Sequence, residues 1–342
     1  MKTGKEYIKI MTDETLRETV SHGSVEFPFR YYLEDIWEFD LHCVDWHWHP
    51  ELEFLFLEKG CATFLIGDGR YELKEGTGIF INSQVIHRFE AQGHAVIPNI
   101  VFSPSLLASE GSLLDMKYLR PVLTSSLNCL IFFPNIPWQK ELLDTLLSVF
   151  ALQESEKPDE FQTVQHLMKL WNILYRHLPI QESSPAPASS AGTYAQLQVM
   201  LQYIHANYRS RITLDDIAGT VMLSKSSILH IFRDCLHTSP ICYLINYRLK
   251  CAAKLLRTTE SSISFIAQAS GFENTGYFCR KFKKLFQLTP GEYRKAEQHK
   301  RLQAHPDALP EKSNTPQQAA GHQTCSAAEL RGIWSSLCCG RH

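Results

Sequence analysis

Between residues 25 and 104 the apolar positions come in short runs: FRYYL, ELEFLFLEKG, CATFLIGDGRYEL, GTGIFI, VIHRFE and AVIPNIVFS. Gly60, Gly67-Asp68-Gly69, Gly76 and Gly93 break them at roughly ten-residue spacing. That pattern predicts a small all-β sandwich or barrel. From 105 to 180 the period becomes helical. Leu142, Leu143, Leu146, Leu147 and Phe150 recur at helical spacing, and so do Phe161, Val164, Leu167, Met168, Trp171 and Leu174. Two amphipathic helices are expected there, packed on the barrel and serving as a dimerisation segment. Residues 181–193, QESSPAPASSAGT, have no apolar periodicity and read as a linker. From 194 to 297 the chain reads as helical throughout, with Thr213, Ser224 and Ser262 placed as N-caps. Ser239-Pro240 and Thr289-Pro290 each offer a cap followed by proline at the first helical position. Residues 1–24 are left as an N-terminal arm, and 298–342 as a disordered polar tail.

Composition narrows the class. A chain of 342 residues has room for two or three domains. No apolar run approaches the roughly 20 residues that span a bilayer, so no membrane partner is expected. The N-terminal residues lack a signal-peptide core, and the ten cysteines are scattered without a CxxC pair. Both features predict a cytoplasmic protein with reduced thiols. The net charge of −2 hides an asymmetry: Thr193 to Gln298 carries 14 Lys+Arg and 7 Asp+Glu, and the remainder carries a net −9. A basic segment on an acidic body points to a phosphate-bearing partner.

That basic segment repeats itself. Ile217-Ala218 recurs as Ile266-Ala267, while Phe232, Pro240 and Tyr243 recur 50 residues on as Phe282, Pro290 and Tyr293. Each unit reads as a short helix, a turn and a second helix. The second helix needs an apolar inner face, supplied by Ile228, Ile231 and Phe232 and then by Phe278, Phe282 and Phe286. Its outer face is polar or basic, as a helix lying in a DNA major groove requires. The strings IAGTVMLSKSSILHIFRDCLHTSP and IAQASGFENTGYFCRKFKKLFQLTPGEYR resemble the AraC/XylS family of bacterial transcription regulators over about 100 residues. The resemblance implies two helix-turn-helix units joined by one long helix, entering adjacent major grooves. It assigns base reading to Ser226, Leu229 and His230 in the first unit and to Thr275, Gly276, Tyr277 and Arg280 in the second. Lys225, Lys283 and Lys284 become phosphate contacts. Leu229 and Gly276 have no side-chain donor, so Leu229 is left with apolar contact to a thymine methyl.

The strand-rich half carries a second motif. His47-Trp48-His49 is followed by Glu53 and Gly60, and Gly76 is followed by His87. The spacing resembles the two cupin motifs, with Leu41, Asn82, Gln84 and Ala91 departing from them. In a regular strand His47, His49, Glu51 and Glu53 share one face. With His87 they define the candidate effector pocket. Three readings stay open for it: a polar ligand or structural cluster, a regulatory metal site held by His47, His49, Glu53 and His87, or a catalytic metal site. Tyr31, Trp46, Trp48, Phe54 and Phe56 are either core or ligand-stacking walls.

The expected fold is thus multidomain α and β: an N-terminal cupin-like β-barrel, a helical dimerisation segment and an all-α double helix-turn-helix. The expected function is transcription regulation rather than catalysis, with no cofactor. The resemblance implies an activator that takes a small-molecule effector, a sugar or other catabolite, and works as a homodimer on double-stranded DNA with RNA polymerase. The alternative is a metal-dependent cupin enzyme with an accessory DNA-binding domain.

Overall fold

The computed structural model describes residues 10–178 and 189–304. Its first half is a two-sheet barrel whose strands all pair antiparallel. The strands are β1 (Phe29–Asp35), β2 (Cys43–His47), β3 (Leu52–Phe56), β4 (Cys61–Ile66), β5 (Gly69–Lys74), β6 (Gly78–Ile81), β7 (His87–Glu90), β8 (Val96–Phe102) and β9 (Cys129–Phe132). One sheet runs β1-β8-β3-β6-β9 and the other β2-β7-β4-β5. Alternation sorts the side chains. Leu55, Ile79, Ile81 and Ile97 of the first sheet meet Val44, Phe64, Ile66 and Phe89 of the second inside the barrel. Phe54, Phe80, Phe102 and Phe132 point the other way. They are covered by α2 (Pro137–Gln153) and α3 (Glu160–His177), which contribute Leu142, Leu146, Leu167, Trp171 and Leu174 to that outer core. The short helix α1 (Arg120–Leu123) precedes β9. A barrel edge strand therefore lies within residues 105–180, where a purely helical segment was expected. Cys-Leu-Ile-Phe is too short to show a period of two.

The second half is helical: α4 (Ser189–Asn207), α5 (Leu214–Thr220), α6 (Lys225–Leu236), α7 (Pro240–Thr258), α8 (Ile263–Ala269), α9 (Thr275–Phe286) and α10 (Pro290–Ala304). Two boundaries move. The helix begins at Ser189, inside the expected 181–193 linker, because Ser, Ala and Thr are tolerated in a helix whose later turns are anchored by Leu197, Met200, Leu201 and Ile204. The last helix runs to Ala304, past the expected end at 297. Its Glu, Arg, Lys, Gln and Ala residues favour helix without leaving an apolar stripe to read. The linker residues 179–188, the first nine residues of the arm and the expected disordered tail from 305 lie outside the described residues.

The two halves share a core. Leu16 of the arm with Trp46, Leu65 and Ile86 of the barrel packs into the cluster built by Leu197, Met200, Ile217, Phe232 and Leu244. Around it, Lys250 of α7 pairs with Asp45, and His237, the left-handed C-cap of α6, hydrogen-bonds the Gly67 carbonyl at 3.1 Å.

Candidate functional sites: a two-helix nucleic-acid interface and a buried histidine cluster

Both helix-turn-helix units are built by the same local chemistry. Thr213 caps α5 with a reciprocal bond to Asp216, and Ser262 caps α8 through the Phe265 amide. Ser224 caps α6 and Asn274 caps α9, and both accept from the backbone N–H three residues on. Ile228, Ile231 and Phe232 fix α6 from inside, as Phe278 and Phe282 fix α9. Phe286 is only partly buried against the second core. In the second unit the turn passes through Gly271 at φ +85°, where a Cβ would stand 2.4 Å from the Tyr208 carbonyl oxygen. That carbonyl accepts from Arg248 Nε of α7 at 2.6 Å, so a side chain at 271 has no room.

The outer faces differ in charge state. On α6, Lys225, Ser226, Leu229 and His230 are exposed. Lys225 is held by Asp215 at 2.9 Å, and His230 by Asp234 at 2.9 Å and by Arg233. On α9, Gly276, Arg280, Lys283 and Lys284 are exposed. Among the described residues none of these three cations reaches a carboxylate within salt-bridge distance. Thr275 and Tyr277 are half-buried. Tyr277 leans on Phe272 and carries Lys281 over its ring at 5.5 Å. The second unit thus offers cations outside any close ion pair, while the first must exchange carboxylates for phosphates on binding.

The barrel brings His47, His49, His87 and Glu53 together and leaves Glu51 apart. The three histidines are 3 % exposed or less and Glu53 4 %. One nitrogen of each histidine lies within 4.8 Å of the others. Glu53 Oε2 stands 3.5 Å from His49 Nε2 and 3.3 Å from His87 Nε2. Glu51 lies beyond β2 in the connection to β3, 3.7 Å from the far nitrogen of His49, and it lines an open cleft instead. The expected single strand face fails because the chain turns at Pro50 between β2 and β3.

Tautomers follow from geometry. His47 Nδ1 meets the Asp45 carbonyl and His87 Nδ1 the Val85 carbonyl, each at 2.8 Å. A carbonyl only accepts, so both Nδ1 atoms carry the proton and both Nε2 atoms keep a lone pair when neutral. Burial, reinforced by His87 and His49, pushes the His47 pKa well below its usual range. Burial opposes charge on His49 too, but the Glu53 carboxylate beside it, with the charges of Glu18 and Glu51, raises its pKa. Burial would raise Glu53, and His49 and His87 outweigh it, holding the carboxyl well below the usual range. Even so, His49 Nδ1, Glu53 Oε2 and His87 Nε2 are buried with no hydrogen-bond partner. Each such orphan costs about 1–3 kcal/mol. Three imidazoles, two with backbone-fixed tautomers, and one carboxylate fit a divalent first-row transition ion of the kind the cupin resemblance implies.

The sequence marks residues 1–24 as an arm but does not show that it packs beside the cluster. Thr12 to Glu18 doubles back beside the His-Trp-His segment: Glu18 N donates to the Trp48 carbonyl at 2.9 Å and Trp48 Nε1 to the Thr15 carbonyl at 3.0 Å. His22 then packs edge-on to His49, ring centroids 5.3 Å apart. Between the arm and Pro50-Glu51 lies the cleft, about 620 Å³, which also touches Arg17, Glu18 and His22. The aromatic residues divide: Phe54 is outer-sheet core, Tyr31 and Phe56 pack against that core, and Trp46 and Trp48 pack toward the helical half.

A β-barrel with a sealed polar cluster, joined to two capped recognition helices, defines a ligand-binding domain coupled to a DNA-binding one. Comparison with known proteins agrees. The AraC-like ligand binding domain matches residues 36–171 and a helix-turn-helix domain matches residues 217–296. The uncharacterized HTH-type transcriptional regulator YdeC of Bacillus subtilis is 30 % identical over 294 residues, covering 83 % of this chain and 97 % of its own. The HTH-type transcriptional activator RhaS of Pectobacterium carotovorum is 22 % identical, covering 72 % of this chain and 86 % of its own. Among solved structures, an AraC-type DNA-binding domain regulator from Chromobacterium violaceum is 31 % identical over 32 % of this chain and 96 % of its own, with a TM-score of 0.30. The chain belongs to the AraC/XylS family of transcription regulators. Its relatives carry the names of regulators rather than enzymes. Among the described residues no helix is long and apolar enough to cross a membrane.

Proposed function

We propose that the chain activates transcription by reading two adjacent major grooves with α6 and α9 while its barrel takes up a small effector. The observation that carries the DNA reading is the matched pair of N-capped helices, each pinned by a fully buried phenylalanine, Phe232 or Phe282, with polar or basic residues outward. Ser226, His230, Thr275 and Arg280 are the hydrogen-bonding base readers. Leu229 offers apolar contact, Gly276 lets the helix approach closely, and Tyr277 is half-buried against Phe272. Lys225, Lys283 and Lys284 hold phosphates. Sealing of the barrel cluster supports regulation over the cupin-enzyme alternative, because an organic substrate would have to reach side chains no more than 4 % exposed. Exposed Phe161 and Met168 on α3 support a homodimer through the 105–180 segment. RNA polymerase is the partner that activation requires.

The test is selection of duplexes from a random-sequence library by the full chain, followed by footprinting. The expected product is a site with two contacted elements about one helical turn apart. Recovery of unselected sequence, with affinity set by salt alone, would reduce the chain to a charge-driven DNA binder.

A further inference from the structure

The barrel cluster and the domain interface meet in one irregularity of β2. The strand pairs with β7 as Val44 opposite Phe89 and His47 opposite His87, with a register shift between them. Two residues, Asp45 and Trp46, therefore stand against the single Arg88. A bulge of this kind re-aims side chains. Here it turns both residues outward while Val44 and His47 stay inside the barrel. Both outward residues touch the DNA-binding half. Asp45 pairs with Lys250 of α7 as well as with Arg88. Trp46 lies parallel to His237 at the end of α6, ring centroids 6.1 Å apart. The link back to the cluster is covalent and hydrogen-bonded: the Asp45 carbonyl accepts from His47 Nδ1 at 2.8 Å.

The cluster itself has the donors of an ion site. Three histidine nitrogens lie within 4.8 Å of one another, and Glu53 Oε2, unpartnered and buried, faces two of them. The arm-side cleft, where an organic effector would fit, is bordered by His22 and Glu51 and not by His47, His87 or Glu53. Nitrogen-rich donor sets select first-row transition ions over magnesium or calcium.

We propose that a divalent transition-metal ion held by His47, His49, His87 and Glu53 is the effector, and that the β2 bulge carries its occupancy to α7 and the end of α6. The proposal rests on the reading of this chain as a DNA-binding regulator and names the effector that reading requires. Binding the ion fixes the His47 and His87 rings, and with them the Asp45 carbonyl and the bulge. Asp45 and Trp46 then hold Lys250 and His237 in one arrangement, which sets how the two recognition helices are presented.

The experiment uses the full chain, stripped with chelator and reloaded with Zn²⁺, Mn²⁺, Ni²⁺ or, under anaerobic conditions, Fe²⁺. Three quantities are read: metal per chain after gel filtration, affinity for a duplex selected as above, and amide hydrogen exchange over residues 43–47 and 240–258. The expected result is one ion per chain for at least one metal, with DNA affinity changed about tenfold and exchange slowed in both segments. Glu53→Gln and His87→Gln should lose the ion. Lys250→Met should keep it and keep the protection of 43–47, but lose both the protection of 240–258 and the metal dependence of DNA binding. Failure of all four metals to bind stoichiometrically overturns the ion site. An ion that leaves DNA affinity and residues 240–258 unchanged, or a Lys250→Met chain that responds like the parent, overturns the relay. If the ion binds and both segments respond but no duplex is selected, the DNA reading fails while the ion site and its coupling stand.

Discussion

Asp45, two residues before the first cluster histidine, forms an ion pair with Lys250 in the middle of α7, 205 residues further along the chain. Arg88 approaches the same carboxylate from β7 at 2.5 Å, so one acidic side chain ties the barrel wall to the helix that joins both DNA-reading units. Alone, an exposed ion pair contributes about 0–1 kcal/mol. This one stands over an apolar contact in which Leu16, Trp46, Leu65 and Ile86 are each less than a tenth exposed. The pair therefore sets where the halves meet, and the apolar burial supplies most of the adhesion.

Adhesion of that kind has a direct consequence. With a protease site placed in residues 179–188 and cut, the two fragments should still elute together on gel filtration. Trp46→Ala should separate them, because it removes the large apolar surface, whereas raising the salt concentration should weaken them only slightly. Fragments of the parent that part at once on cleavage would show that the linker alone holds the halves together.

The recognition faces predict two kinds of loss. Arg280, exposed and unpaired on α9, should on replacement by Ala lose about 1–3 kcal/mol of discrimination at one or two base pairs. Lys283→Ala should weaken all duplexes nearly equally and flatten the salt dependence by about one ion. On α6 the carboxylates of Asp215 and Asp234 compete for Lys225 and His230, so Asp234→Asn should tighten DNA binding. Titration of selected and random duplexes at several salt concentrations checks all three, and an unchanged ratio for Arg280→Ala removes it as a base reader.

Each helix-turn-helix unit has its own keystone. Phe282 is fully buried between Phe278, Phe286 and Tyr293, with ring centroids 4.3 to 5.5 Å away. Its replacement by Ala should cost about 3–5 kcal/mol and loosen the second unit. Phe232→Ala should instead loosen the first unit and, through the shared core, the barrel contact. Hydrogen exchange by segment separates the two patterns; a uniform loss in both variants would show that the units do not melt independently.

The units were legible because their signals are local. A cap, an Ile-Ala pair, a buried phenylalanine and a Pro-led next helix recur at nearly fixed spacing, and the structure places each member of Phe232/Phe282 and Pro240/Pro290 in the same role. Convergence of His47, His49, Glu53 and His87 was legible from motif spacing alone. Glu51 was not, since period-two counting assumes a continuous strand and the chain turns at Pro50. Nor was the bulge at Asp45-Trp46: nothing in Val-Asp-Trp-His marks an extra residue, and only pairing with β7 exposes it. The shared core escaped for a similar reason. Trp46, Leu65 and Ile86 look like ordinary barrel residues until a second domain covers them.

Acid sensitivity provides the last prediction. His205 of α4 hydrogen-bonds the Tyr243 hydroxyl at 2.9 Å and stacks on Tyr247 at 4.1 Å, between the arm and α7. Burial, helped by the charge of Lys250 and opposed by a bond with Glu14, pushes its pKa down to about 4. In the unfolded chain the ordinary value is about 6.5. As the pH falls through 6.5 the unfolded chain takes up a proton that the folded chain refuses until about pH 4. The neutral ring therefore contributes its full stability above pH 6.5, and that contribution is lost progressively on acidification toward pH 4. The ring is partly exposed, so the loss should be about 1–2 kcal/mol rather than the full value implied by the shift. His205→Gln keeps a hydrogen-bonding group for Tyr243 and removes the titration. Melting temperatures taken at half-unit steps from pH 7.5 to 4.5 should fall more steeply for the parent than for His205→Gln, with the two curves converging at the acid end. Parallel curves across that interval would mean that His205 takes up its proton at the same pH in the folded chain as in the unfolded one, and that the contact between arm, α4 and α7 does not exclude the charge.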